Sequence, residues 1–195
     1  MADCVEISVF IFRRDLRIYD NAGLNELSAE GPVLLIFIIN PDQIHSEYAS
    51  PASVNFMLQS IICLSNCIRK AGGELIIRAS LSPDKDNEDK DKSGDIGVLD
   101  QLRRSNNLDT DKYKITRIGF NEDYTPFAIA RDSKIEKWCV KNKIICKKYS
   151  DYMMREYPVL YKKFTPFYDY YSSPKLGLVS KPRTLQINFV KPSEL

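Results

Sequence analysis

Residues 10–17 read FIFRRDLR and residues 121–126 read NEDYTP. The first stretch sets Arg13, Arg14 and Arg17 around Asp15 at the end of an apolar run. The second sets an amide, two adjacent carboxylates and a phenol before a proline. Guanidinium groups bind anions or pair with carboxylates. Glu122 and Asp123 have the types for general acid-base work, but capping a helix and pairing with the arginines is the simpler role. His45 is the only histidine and sits in a polar loop, which leaves a Ser-His-Asp or Cys-His site without its base. No G-x-S-x-G elbow occurs. Gly23 stands alone after the first apolar run, so the glycine fingerprint of a dinucleotide fold is missing. Cys63 and Cys67 lie four apart on a predicted helix. Zinc needs about four close ligands, and the pair reads better as small buried hydrophobes. No catalytic and no metal-binding residue is assigned.

These stretches need a frame to hold them. VEISVFIF (5–12), PVLLIFII (32–39), ELIIRA (74–79), KITRIGF (114–120) and KIICKKY (143–149) read as five buried strands. Helices fall between them. Asp20-Asn21 offers a cap for a short helix through Leu24 and Leu27. Ser50-Pro51 opens a long helix, with Val54, Met57, Leu58, Ile61, Leu64 and Ile68 at helical spacing, and Gly72-Gly73 ends it. A further helix carries Val98, Leu99, Leu102 and Leu108. Thr125 as N-cap and Pro126 in the first turn start another, running to about Asn142. Strands alternating with helices predict an α/β fold with a Rossmann-like, doubly wound, five-stranded parallel sheet flanked by helices. The expected strand order is 3-2-1-4-5.

The chain has 195 residues, enough for one domain and a long extension. The domain is expected over 1–150. Within it, 82–95 (SPDKDNEDKDKSGD) has no core-forming residues and reads as a disordered surface loop. From 151 to 195, prolines and tyrosines predict an irregular arm on the surface. The net charge is +2, so nothing global argues for nucleic-acid binding. MADCVEISVF lacks the basic end and long apolar run of a secretory signal, and no stretch reads as a membrane span. Five cysteines, an odd number without Cys-x-x-Cys, predict reduced thiols in a cytoplasmic or nuclear protein.

In the 3-2-1-4-5 order, strand order reverses between the first and fourth strands. Ligands bind there, beyond the carboxyl ends. The Arg13–Arg17 loop and the Asn121–Thr125 loop would face each other across that crevice, with Asn40-Pro41-Asp42 beside them. On the helix after NEDYTP, Ala128, Arg131, Ile135 and Trp138 share one face. An inward guanidinium needs a carboxylate. Asp15 is the natural candidate for Arg131, in a structural ion pair, with Asp132 and Asp123 as alternatives.

FIFRRDLRIYDNAGL (10–24) resembles the opening signature of the photolyase and cryptochrome family, matching at Phe12, Arg13, Asp15, Leu16, Arg17, Asp20, Asn21 and Leu24. GFNEDYTPFAIARD (119–132) is similar to the family's second signature, and KKFTPFYDYY (162–171) to its connector into a second domain. The resemblance implies an N-terminal α/β domain holding an antenna chromophore: a folate, a deazaflavin or FMN. The crevice residues it points to are Phe12, Arg13, Arg14, Asn40, Asp42, Ser53, Asn121, Asp123 and Tyr124. It implies that FAD and the light-driven splitting of pyrimidine dimers belong to a helical C-terminal domain.

The departures shape the expectation. Family members are more than twice as long, and none of the FAD-binding signatures is present. Trp138 is the only tryptophan, so no tryptophan chain leads to a flavin. Deazaflavin-binding relatives have a basic residue where Ser53 stands. Folate-binding relatives have Asn-Glu where Phe127-Ala128 stand. The expectation is a truncated or split member, inactive alone, binding DNA weakly or not at all, with a separately encoded FAD domain as partner and no membrane. The alternatives are a cryptochrome-like signalling fragment and a stand-alone nucleotide- or chromophore-binding module.

Overall fold

The central strand of a parallel sheet is covered on both faces, so it reads as an unbroken apolar run rather than an alternation. Strand β1 (Val5–Phe12) is such a run, with its last six residues buried. Ile7, Val9 and Ile11 point into one core layer and Phe10 and Phe12 into the other. The computed structural model describes residues 4–47, 49–80, 94–104, 113–151, 161–173 and 186–192.

Around β1 the order of elements is α1 (Ala22–Ser28), β2 (Val33–Ile39), α2 (Pro41–Ile44), α3 (Pro51–Lys70), β3 (Leu75–Ala79), α4 (Gly94–Arg104), β4 (Tyr113–Asn121), α5 (Pro126–Lys141), β5 (Ile145–Tyr149) and α6 (Phe164–Tyr171). The five strands form one sheet in the order β3-β2-β1-β4-β5, and every neighbouring pair is parallel. This is the doubly wound sheet that the sequence predicts. Leu24 and Leu27 of α1 and Ile61, Leu64 and Ile68 of α3 cover one face. Val98 and Leu99 of α4 and Ile135, Trp138 and Cys139 of α5 cover the other. Each such large side chain stabilises the fold by roughly 1.5–3 kcal/mol when fully buried.

Caps fix where the helices begin. The Asn21 side chain accepts from Leu24 N at α1. Ser50 and Ser53 form a reciprocal capping box at α3, with Pro51 in the first turn. Thr125 accepts from Ala128 N at α5, again with proline following. Gly72, at φ 90°, lies just beyond the Ala71 cap of α3.

Several expectations need correction. Helix α4 starts at Gly94, so the predicted loop 82–95 runs two residues too far, and its Asp95 is buried; residues 82–93 lie outside the described residues. The C-terminal arm is not all surface. It contains α6, and residues 188–190 return to the sheet. Val33 N donates to Asn188 O (2.9 Å), and Val190 N donates to Val33 O (3.0 Å). Val190 is buried, and the Phe189 ring lies over Gly73, where a Cβ would sit 2.6 Å from it.

On α3 only Ile61, Leu64 and Ile68 are buried, while Leu58 is exposed. Cys63 and Cys67 are exposed rather than buried, because they fall on the outer side of that helix. At 20 residues α3 is also long and apolar enough to cross a membrane by length and composition. Its buried residues instead pack on the sheet.

Candidate functional site

The site forms where β1 and β4 send their following loops apart, at the point of order reversal. Its floor is a buried polar knot. Asp15 accepts from Arg13 N (2.8 Å), Asn121 Nδ2 (2.6 Å) and Asn21 Nδ2 (3.0 Å). Asn121 Nδ2 also donates to Asn21 Oδ1 at 2.9 Å and approaches Asp151 Oδ2 at 3.3 Å. Asp151, just after β5, accepts from Ala22 N at 3.0 Å and from Arg17 Nη2 at 2.6 Å. One knot thus ties the loops after β1, β4 and β5 to the start of α1. It needs glycine at position 23, because a Cβ there would meet Asn121 Oδ1 at 2.2 Å and the Tyr149 ring at 2.8 Å.

Above the knot lies a crevice of about 300 Å³, lined by Arg13, Arg14, Asp15, Arg17, Asn121, Glu122, Asp123 and Asp151. Arg14 Nε lies 3.2 Å from Asp123 Oδ2, with the Arg14 side chain mostly exposed. Asp123 also accepts from Thr125 N at 3.1 Å, which holds the loop before α5 in place. Arg17 donates to Asp20 O at 2.8 Å as well as to Asp151.

Arg13 behaves differently. Its guanidinium turns under the sheet face, 2.8 Å from Asp95 and 3.4 Å from Asp132. It also stands over the Phe120 ring, 5.2 Å from the centroid. Arg131 Nε lies 2.9 Å from Asp132 and 3.9 Å from Asp95, completing a square of two arginines and two aspartates. Burial, then the neighbouring Arg131, push the Arg13 guanidinium down from its ordinary pKa, and Asp95 and Asp132 oppose them. Arg13 Nε and Arg131 Nη2 are buried without a hydrogen-bond partner.

The predicted ion pair between Asp15 and Arg131 is therefore not formed. Arg131 takes Asp132, one of the alternatives, because both leave α5 beside Arg13 and Asp95. Asp15 is consumed by backbone and amide donors.

Of the crevice candidates, Arg13, Arg14, Asn121 and Asp123 come together. Phe12 does not join them: it is buried in the core, 5.1 Å from Phe10 in an edge-to-face contact. Ser53 is spent on its capping box. Asn40, at the end of β2, and the half-exposed Tyr124 are not among the lining residues. The Asp42 side chain lies outside the described residues.

Arg17 and Glu122 line the crevice as the two facing loops predict, and Asp151 lines it without having been expected from the sequence. Asp151 had a signal: it follows the strand next to β4 in the predicted order. Asp95 had one too, since it shares a helical face with Val98, Leu99 and Leu102.

Against known proteins, the family model described as DNA photolyase matches residues 8–175. Cryptochrome-2 of Arabidopsis thaliana is 29% identical over 164 residues, covering 82% of this chain and 24% of its own length. The deoxyribodipyrimidine photo-lyase of Halobacterium salinarum is 29% identical over 140 residues, covering 66% and 24%. Among solved structures, the archaeal photolyase from Sulfolobus tokodaii, described as holding two FAD molecules with the implication of a novel light-harvesting cofactor, is 33% identical with a TM-score of 0.73. That match covers 95% of this chain and 38% of the photolyase. The chain thus spans about a quarter of the curated relatives' length.

Proposed function

Because the chain belongs to the DNA photolyase family, of which it is an N-terminal domain, we propose that it is the antenna-side half of a DNA photolyase, the enzyme that repairs pyrimidine dimers with light. The observation that carries this reading is the switch-point crevice, with its floor tied to three strands and its walls polar. A rigid, largely pre-formed pocket is what a bound chromophore requires.

The lining residues fit one part of such a chromophore better than another. Two arginines, Arg14 and Arg17, face the carboxylates of Glu122, Asp123 and Asp151, and they are already paired with Asp123 and Asp151. A phosphate would have to displace those carboxylates. Carboxylates and the Asn121 amide suit the N–H edge of a pyrimidine-type ring, which folates, deazaflavins and flavins share. Asp123, Asp151 and Glu122 would accept from that edge, and Arg14 and Arg17 would cover the ring or meet an acidic tail. Such a chromophore supplies absorbed light and passes the excitation on.

FAD and the bond-breaking chemistry belong, in this proposal, to a helical domain outside this sequence. A separately encoded chain is the partner envisaged. Phe164 and Tyr168 of α6 support it, being 72% and 57% exposed on the connector. Alone, the chain would neither repair DNA nor bind it firmly. Its setting would be cytoplasmic or nuclear.

The test is to titrate the purified chain with FMN, a deazaflavin and a reduced folate while following thermal unfolding and visible absorbance. One of them should raise Tm as a ligand of the native state does, and Asp123→Ala together with Arg17→Ala should abolish the shift. No shift with any of the three overturns the antenna reading.

A further inference from the structure

We propose, on the antenna reading of the crevice, that it filters its ligand by charge. It takes an uncharged flavin or deazaflavin nucleoside and refuses the phosphorylated form of the same ring, and Glu122, Asp123 and Asp151 set this choice. The charge of the walls goes further than the antenna reading, because it separates two forms of one ring.

A phosphate site needs guanidinium groups or backbone N–H groups that can turn to it. Three arginines line the crevice, and each is engaged. Arg13 sends its guanidinium away from the crevice, 2.8 Å from Asp95 and 3.4 Å from Asp132. Arg17 donates to Asp151 at 2.6 Å and, through Nε and Nη2, to Asp20 O at 3.2 and 2.8 Å. Arg14 holds Asp123 at 3.2 Å. The helix starts beside the crevice are spent as well. Ala22 N donates to Asp151 (3.0 Å), Leu24 N to Asn21 Oδ1 (3.1 Å) and Ala128 N to Thr125 Oγ1 (3.3 Å).

The carboxylates are the fixed members of the crevice pairs, and the arginines are the movable ones. The Asp123 and Asp151 side chains are nearly buried, whereas those of Arg14 and Arg17 are exposed. Thr125 N holds Asp123 at 3.1 Å; Ala22 N and Asn121 Nδ2 hold Asp151 at 3.0 and 3.3 Å. An arginine that swung to a phosphate would strand a nearly buried carboxylate, which is costly.

The sum of charges points the same way. With Arg13 committed to Asp95 and Asp132, Arg14 and Arg17 stand against Glu122, Asp123 and Asp151, with Asp15 in the floor below. Lys148 lies 3.9 Å from Glu122 but 2.8 Å from Glu136, so its charge is shared. A phosphate entering this crevice meets like charge at close quarters. An uncharged ring does not. Its N–H edge donates to carboxylate oxygens, and the guanidinium planes cover its face without leaving their partners. Of the two roles open to Arg14 and Arg17, the charges thus select covering the ring over meeting an acidic tail. Selection works by repulsion as much as by attraction.

The experiment is fluorescence titration of the 195-residue chain with riboflavin against FMN, and with 5-deazariboflavin against its 5′-phosphate. Within each pair the ring is the same, so the phosphate alone makes the difference. At low salt the nucleoside should bind at least about tenfold more tightly than its phosphate. The gap should shrink at about 1 M salt, where the Debye length falls to about 3 Å. Glu122→Gln keeps an acceptor oxygen and removes a charge, and should narrow the low-salt gap by about threefold. A phosphate that binds as tightly as its nucleoside overturns the filter and leaves the antenna reading standing. A gap that neither salt nor Glu122→Gln changes is not electrostatic and also overturns it. No binding in either pair overturns the filter too, and the antenna reading is then decided by its own titration with a reduced folate. The comparison within each pair needs no variant, so a poorly folding Glu122→Gln cannot obscure it.

Discussion

Two charged clusters grow from the same five residues, Arg13 to Arg17, and they have opposite characters. On one side, Arg13 joins Asp95, Asp132 and Arg131 in a square whose side chains are 4–11% exposed. On the other, Arg14 and Arg17 reach Asp123 and Asp151 across an open crevice, with side chains 61% and 43% exposed. The residue types are nearly identical; the solvent is not. In the square each charge has lost its water and depends on its partners. In the crevice each arginine can trade a carboxylate for water or a ligand at little cost. Structural and ligand-accessible arginines are thus separated by burial, and neighbouring positions in one loop fall on either side.

The contrast is sharpest at Asp132. Asp132→Ala leaves Arg13 and Arg131 short of a buried counter-charge and should cost about 3–5 kcal/mol in denaturant unfolding. Combining it with Arg13→Met should recover part of that loss, as a double-mutant cycle would show; strict additivity would break the picture of one coupled square. Asp15→Asn comes next. Asn121 Nδ2 and Arg13 N both donate to this carboxylate, and an amide would set donors against donors. A loss of about 1–3 kcal/mol is expected, measured the same way. Arg14→Ala should fall below about 1 kcal/mol. A cost comparable to that of Asp132→Ala would mean the crevice pair is structural after all.

A smaller effect separates the knot from its neighbour Tyr149. Its hydroxyl is buried without a hydrogen-bond partner, and burial, then the carboxylates of Glu30 and Glu26, raise its pKa. A phenol whose folded pKa lies above its unfolded value contributes stability in full below about pH 10, the unfolded value. That contribution is lost as pH rises towards the folded value. Tyr149→Phe should therefore leave neutral stability unchanged or slightly raised. It should also flatten the alkaline decline in Tm, and an unchanged slope would point to other groups.

The sheet was readable because β1 and β2 are buried on both faces and so have continuous apolar sequences. The strand order was taken from the common doubly wound arrangement, because alternation of strands and helices allows more than one order and no single residue selects among them. The site was readable only as a pair of loops. Nothing in Arg-Arg-Asp-Leu-Arg says which guanidinium turns inward, since that depends on Asp95, Asp132 and Phe120 meeting beneath β1 and β4. Asp95 was obscured by the charged run before it, although its helical spacing placed it on an apolar face. Ser53 and Phe12 were placed by likeness to relatives; local demands, a capping box and a core contact, had already claimed them.

Asp151 lies at the carboxyl-end pole of the sheet, and Asn188 and Val190 pair with Val33 at the opposite pole. Residues 186–192 are in effect a peptide ligand held to their own domain by a covalent leash. Their occupancy is set by an effective concentration rather than by intrinsic affinity alone. A single cut in the leash would turn folding into a binding equilibrium. The domain would then become a receptor for this segment, and its stability would depend on how much of the segment is supplied.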